Sequence, residues 1–249
     1  MGTGWFLFGA GVVGGIVNAL AGGATLITFP VMLATGLPAV IANASNAVAI
    51  APGHLLAAWA DRDRLDWRDR HLWAIGCWSV AGGGMGAALL LALPERLFLL
   101  PIPALIGLAT ALFAFAPRIA AWSCRWQGTV RHRSERLILL LATLYGGFFG
   151  AGLGIILTAV LTLGEPDDIR KVKVLKNVLA TAVSLSAIVI FIVRGVVAWG
   201  ATLPMLLGAL LGGYAGGQLI RTLPALAVRT IVIVAGILMT AIYARRYWF

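Results

Sequence analysis

Apolar residues in this chain run continuously instead of alternating, and charge interrupts them only at intervals. Residues 1–60 contain no Asp, Glu, Lys or Arg, and further charge-free runs cover 72–94, 97–117, 137–164, 177–193, 195–220 and 230–244. As helix, the first run would reach about 90 Å, roughly three times the hydrocarbon thickness of a bilayer, so it must fold back on itself. Most other runs are close to the ~20 residues that one helical span requires. The pattern predicts about eight membrane segments, at 5–35, 38–60, 71–93, 98–117, 137–163, 172–193, 199–220 and 225–244. Strands of a membrane barrel would alternate, so a barrel is not expected. The predicted fold is an all-α polytopic membrane protein with about eight transmembrane or re-entrant helical segments.

The segments fall into two sets. Gly14-Gly15 corresponds to Gly146-Gly147, Asn46 to Asn177, Trp67 to Trp199, Gly82-Gly83 and Gly86 to Gly212-Gly213 and Gly216, and Leu93-Pro94 to Leu223-Pro224. Their common order and near-constant offset predict a duplication into two homologous four-segment repeats. On this reading residues 1–117 form the first repeat, 118–136 a basic cytoplasmic connecting loop, and 137–249 the second repeat. Transporters are often built so, with the substrate site where the repeats meet. Segments 5–35 and 137–163 are the glycine-interrupted ones, through Gly22-Gly23 and through Gly146, Gly147, Gly150, Gly152 and Gly154. Interrupted segments at matching positions of two halves point to a binding site. Small residues four apart also allow close helix packing, which is the expectation for Gly208, Gly212 and Gly216.

Composition narrows the class. Hydrophobic residues make up 61% of the 249-residue chain and charged residues only 11%, whereas a soluble domain carries roughly a quarter charged. That excludes a water-soluble enzyme, a disordered chain and a nucleic-acid-binding domain. It predicts a multi-pass protein of the cell inner membrane, with the lipid bilayer as its first partner. The formal net charge of +10 then reflects topology. Arg118, Arg125, Arg131, Arg133 and Arg136 cluster on what should be the cytoplasmic side. Arg62, Arg64, Arg68 and Arg70 mark a second loop on the same side, two spans away. If segments 5–35 and 137–163 are hairpins, Arg170, Lys171, Lys173 and Lys176 move inside and the charge bias sharpens. No basic n-region precedes the first segment, so no cleaved signal is expected. Six tryptophans (Trp5, Trp59, Trp67, Trp73, Trp199 and Trp248) fall near segment ends, as an aromatic belt requires. Cys77 and Cys124 form no disulfide or metal framework.

Candidate chemistry is defined by what the segments lack. All nine carboxylates lie in loops or at segment ends, yet intramembrane Asp or Glu is the usual carrier of protons and sodium. There is no phosphate-binding G-x-x-x-x-G-K-[ST] run, no G-x-S-x-G and no H-E-x-x-H. The expectation is a non-enzyme without cofactor or metal. Neutral donors, a lysine and interrupted-helix N-termini suit an oxyanion. The predicted substrate-binding set is Gly22, Gly23, Thr25, Asn43, Ser45 and Asn46 from one half, with Gly152, Gly154, Lys176 and Asn177 from the other. Asn18, Thr181 and Ser184 read as interhelical hydrogen-bonding groups. His54 is the proton-coupling candidate, against the more frequent structural role of a lone histidine. A route without it is favoured: the substrate carries its own proton, or membrane potential drives export. The alternatives are an intramembrane lipid-modifying enzyme, for which His54 and Ser45 have no orienting carboxylate, and a non-transporting membrane scaffold.

The run 18–30 (N-A-L-A-G-G-A-T-L-I-T-F-P), then Gly36-Leu37-Pro38, then Ala42-Asn43-Ala44-Ser45-Asn46, resembles the TauE/SafE sulfite-exporter family, also called toluene-sulfonate uptake permeases. The second half resembles it through 146–154 (G-G-F-F-G-A-G-L-G) and Lys176-Asn177. Ala24 and Leu153 stand where the family pattern has glycine, and Thr25 where it has serine. The resemblance implies a secondary carrier of a small anion such as sulfite, a sulfonate or sulfoacetate, built from two four-segment repeats. It leaves the particular anion, the direction of transport and a homodimer open.

Overall fold

The computed structural model describes residues 2–60, 62–65, 67–126, 132–164, 169–219 and 225–249. Side chains at 20, 21, 64, 132–135, 164, 169, 170, 219, 225, 226 and 228 are not part of that description. The described residues form α1 (Gly2–Ala21), α2 (Thr25–Ala34), α3 (Ala39–Ala60), α4 (Arg70–Ala92), a short α5 (Glu95–Leu99), α6 (Ile102–Arg125), α7 (His132–Phe148), α8 (Leu153–Gly164), α9 (Ile169–Val193), α10 (Trp199–Leu219) and α11 (Ala225–Tyr247). One 3₁₀ turn, Arg62–Arg64, lies between α3 and α4, and the described residues contain no strand. Six of the helices are long and apolar enough to cross a membrane. α10 has the length, but six glycines and Gln218 dilute its hydropathy. The all-α polytopic expectation therefore holds.

Both glycine-interrupted segments are broken helices. Gly22 has φ 76°, and its N–H donates to the carbonyls of Val17 (3.2 Å) and Asn18 (3.0 Å), which closes the last turn of α1. Gly150 has φ 77° and donates to Tyr145 O at 3.2 Å, closing α7 in the same way, while Gly152 (φ 79°) redirects the chain into α8. A side chain at any of these positions would be strained, because the left-handed region suits glycine. The basic connection 118–136 is helical at both ends: α6 continues through Arg125 and α7 starts at His132, with 127–131 outside the described residues.

The halves interlock reciprocally. α1 packs along α10, and α4 along α7; α3 touches α10, and α4 touches α9; α2 meets α11, and α6 meets α8. α3 and α9 contact each other, as do α6 and α11. Each half thus lays its first helix on the other half's fourth. Glycine makes the approach possible: a Cβ at Gly208, Gly212 or Gly216 would run into the α1 backbone at Phe8, Val12 or Ile16. Likewise one at Gly86 would meet Leu144 and Phe148 of α7, and one at Gly147 would meet Gly83. Gly208, Gly212 and Gly216 therefore pack helices, in keeping with their four-residue spacing, and Gly86 and Gly147 do the same in the second seam.

Large apolar side chains occupy both inside and outside. Phe29, Met32, Phe98, Ile102, Ile106, Phe113 and Phe149 share one core, and Leu139, Leu157, Leu175, Leu179 and Val183 a second. Phe29 of α2 and Phe149 beside the α7 break stack edge-to-face, with centroids 5.3 Å apart. Exposed Met85, Leu89, Ile231, Val234 and Ile237 form outward apolar faces of the kind lipid covers. The six expected belt tryptophans are all exposed. The gap that Pro117 leaves is compensated. Pro117 inside α6 has no N–H for Phe113 O, and the Arg229 guanidinium donates to Phe113 O (3.2 Å) and Ala114 O (2.8 Å).

Candidate functional site

Two spaces lie beside the two helix breaks. The larger, a cavity of about 530 Å³, adjoins the α1–α2 break. Its polar wall comes from Asn18 of α1, His54 of α3, and Lys176 and Asn177 of α9. Gly22 and Ala24 border it where α2 is about to begin, and exposed Tyr214 of α10 stands at its rim. Pro52 and Gly53 line it too; Pro52 leaves Val48 O without its intrahelical donor, and a Cβ at Gly53 would lie 2.8 Å from Asn18 Nδ2. The volume falls within the range of small-molecule pockets, roughly 300–1,000 Å³.

The charge of this cavity is one-sided. Lys176 supplies an ammonium, no carboxylate lines the walls, and among the described residues no carboxylate pairs with Lys176. The stem of Lys176 lies over the first turn of α8, where a Cβ at Gly154 would sit 3.7 Å from its Cδ. Asn18 and Asn177 add amide donors. The nascent N-terminus of α2 adds oriented backbone and its dipole. Such donors suit a small anion better than a cation.

The smaller space, about 40 Å³, adjoins the α7–α8 break. Thr25, Asn43, Asn46, His54 and Ser184 line it, with Gly146, Gly147 and Gly150 of the broken segment. Asn43 and Asn46 are only 2% and 1% exposed. Asn43 Nδ2 donates to Phe148 O at 3.0 Å, which fixes the amide's orientation. The Oδ1 atoms of both asparagines are buried and have no hydrogen-bond partner among the described residues. Leaving such a group unsatisfied costs about 1–3 kcal/mol, so a pair of them calls for an explanation.

The predicted site residues thus divide. Gly22, Lys176, Asn177 and His54 come together at the large cavity, and Thr25, Asn43 and Asn46 at the small chamber, with His54 lining both. Gly154 supports Lys176. Gly23 faces Phe113 and Gly152 faces Leu112 and Ala109, so both breaks rest on α6. Ser45 accepts a hydrogen bond from Ala198 N at 2.9 Å and ties α3 to the start of α10. Asn18, expected to bridge helices, lines the cavity instead. Its position one helical turn before Gly22, on the same face, was the signal for that role. Thr181 donates within its own helix, to Asn177 O at 2.8 Å.

Comparison with known proteins gives a concordant picture. A family model described as "Sulfite exporter TauE/SafE" matches residues 7–243. A "Probable membrane transporter protein" of Haemophilus influenzae is 27% identical over 243 residues, covering 94% of this chain and 92% of that one. A "Probable membrane transporter protein ORF9" of Sinorhizobium sp is 24% identical, covering 93% and 88%. A "Probable membrane transporter protein YfcA" of Escherichia coli is 24% identical, covering 94% and 87%. No solved structure matches the chain.

Proposed function

The chain belongs to the sulfite exporter TauE/SafE family, and on that footing we propose that it is a secondary transporter of small sulfur-containing or organic anions, of the sulfite, sulfonate or sulfoacetate type. The single observation that carries the reading is the large cavity with a lysine that, among the described residues, no carboxylate joins or pairs. There the anion's oxygens take hydrogen bonds from Lys176, Asn177 and Asn18, charge-assisted in the first case. The N-terminus of α2 faces the same charge favourably. The wall is made by α1 and α3 of one half and α9 and α10 of the other, so relative movement of the halves would expose it to alternate sides. The reciprocal packing of the helices supports the two-repeat organisation, 1–117 and 137–249; the arginines of 118–136 are what favour a cytoplasmic connection.

Energy comes from gradients, since the sequence holds no phosphate-binding loop. Moving one negative charge outward gains about 2.3 kcal/mol per 100 mV of inside-negative potential, which favours export across an inner membrane. The test is a thermal-shift screen of the detergent-purified protein against sulfite, thiosulfate, sulfoacetate, taurine and carboxylates, followed by flux in proteoliposomes. A bound anion should stabilise by about 2.7 kcal/mol at a hundredfold excess over Kd. Lys176→Met should abolish that stabilisation while folding normally. Equal stabilisation of the variant, or chemical conversion of the anion without flux, would overturn the reading.

A further inference from the structure

We propose that the small chamber at the α7–α8 break is a sodium-ion site. Its ligands are Asn43 Oδ1, Asn46 Oδ1 and the Thr25 hydroxyl, completed by backbone carbonyls of the last turn of α7 and by water. Four observations converge on a small cation. The two amide oxygens are buried and unpartnered, and both residues line the same chamber. The Asn43 amide cannot turn its nitrogen inward, because that nitrogen is committed to Phe148 O. What Asn43 leaves uncommitted is therefore an acceptor, which an anion would not approach. The C-terminal end of α7 carries the negative end of the helix dipole, and Gly146 and Gly147 of its last turn border the space. Unwound backbone at half-helix C-termini is a recurrent way to hold sodium in a transporter.

Size and charge select the ion. About 40 Å³ holds an ion with one or two waters. The larger cavity next to it, at about 530 Å³, is the only one of the two with room for an organic anion. Among the described residues no carboxylate lines the chamber, so a divalent cation would lack the anionic ligands it normally takes. Amide and hydroxyl oxygens do not hold a proton at cellular pH, and His54, which also lines the chamber, offers nitrogen and stands outside this oxygen set, so the oxygens suit a monovalent metal ion.

The chamber adds a chemical asymmetry to a reciprocal architecture. Asn46 and Asn177 stand at corresponding places of the two halves, yet Asn177 has Lys176 beside it whereas Asn46 has Asn43 one turn away. One break therefore faces an ammonium and the other a pair of amide oxygens, and the two spaces adjoin through Ile50 and His54. An anion beside Lys176 and a cation beside Asn46 lower each other's electrostatic cost, a coupling that must be reciprocal. That the ion drives transport rests on the anion-carrier reading above; that it binds does not.

The experiment uses the full-length protein in detergent with no anionic substrate, in choline chloride exchanged stepwise for NaCl or KCl at constant ionic strength. The expected result is a saturable rise in Tm with sodium, weaker with potassium and absent with choline, matched by saturable binding of radioactive sodium. Asn46→Ala should lose both responses. Asn46→Asp, which keeps the size of the side chain, guards against misfolding and should bind sodium at least as tightly. Identical Tm in all three salts, or sodium binding unchanged in Asn46→Ala, would overturn the proposal and leave the chamber as a water site. Sodium binding without any anion-dependent stabilisation would instead sustain the sodium site and count against the anion cavity.

Discussion

Gly212→Ala is the sharpest test of how the two halves are joined. A Cβ at Gly212 would overlap the Val12 carbonyl oxygen and stand 2.7 Å from Val12 C and 2.8 Å from Val12 Cα. Carbon atoms pack comfortably at about 3.5–4.0 Å, so α1 and α10 would have to part by roughly 1 Å. Backbone cannot rotate out of the way as a side chain can. Gly208 and Gly216 meet Phe8 and Ile16 in the same seam, so contact would be lost along several turns. Overpacking of this kind costs about 1–3 kcal/mol. At about 2–4 °C per kcal/mol for a chain of this size, Tm should fall by roughly 2–12 °C. Gly213→Ala is the matched control: the same helix, the next residue, and nothing within 4 Å of the added methyl. Replacing glycine there should be neutral or gain up to about 1 kcal/mol of helix propensity. The assay is thermal unfolding of both variants in one detergent, followed by loss of monodispersity. If the two variants unfold at the same temperature, the backbone-to-backbone seam is not what holds the halves together.

Arg229→Leu should destabilise by about 1–3 kcal/mol by orphaning Phe113 O, and should cost clearly less in a Pro117→Ala background, where residue 117 regains an N–H; additive effects in that double-mutant cycle would reject the compensation. With Cys77 replaced by Ser, exposed Cys124 near the end of α6 should resist a membrane-impermeant maleimide in intact cells and react in inside-out vesicles; labelling of intact cells would invert the topology. His54→Gln should retain transport and its pH dependence, because a neutral amide still lines both spaces; a folded variant that binds anion but has lost only the pH dependence would make His54 the proton carrier. Ser45→Ala should lower Tm by about 1 kcal/mol equivalent through the lost bond to Ala198 N, while leaving anion affinity unchanged; altered affinity would return Ser45 to the site.

Most segment boundaries were legible, because hydropathy reports the membrane directly and glycine clusters report where a helix cannot continue. The breaks at Gly22 and at Gly150–Gly152 are of this kind. Hydropathy marks the edge of lipid, however, and not the end of a helix, so Arg118 and Arg125 sit on α6 instead of in a loop. The polar run at 43–46 shows another limit. Asn43 and Asn46, three apart, share a face, whereas Ser45 lies about 100° round the helix from Asn46. Which face meets a cavity depends on the register against α9 and α10, and apolar runs of near-uniform composition carry no such register. Gly23 and Gly152 carry a similar ambiguity in the sequence. A glycine that breaks a helix and one that accommodates a neighbour look alike until Phe113 and Leu112 are in place.

The reciprocal packing has a consequence for biogenesis. α4 and its partner α7 are separated by about 40 residues of chain, whereas α1 and its partner α10 are separated by about 180. At a synthesis rate of about 5–20 residues per second, α7 emerges within roughly 2–8 s of α4, but α1 waits roughly 10–40 s for α10. Two seams of the same chemistry are thus closed at different times, and assembly proceeds from the middle of the chain outward. Until α10 is inserted, the face of α1 that carries Gly11 and Gly15, packed on Met205 and Ala209 of α10 in the finished fold, lies open to lipid and to any other helix with a small-residue groove. A nascent chain arrested before residue 199 therefore displays an unfilled groove, a feature that membrane quality control can read, and its half-life should be far shorter than that of the chain released after α10.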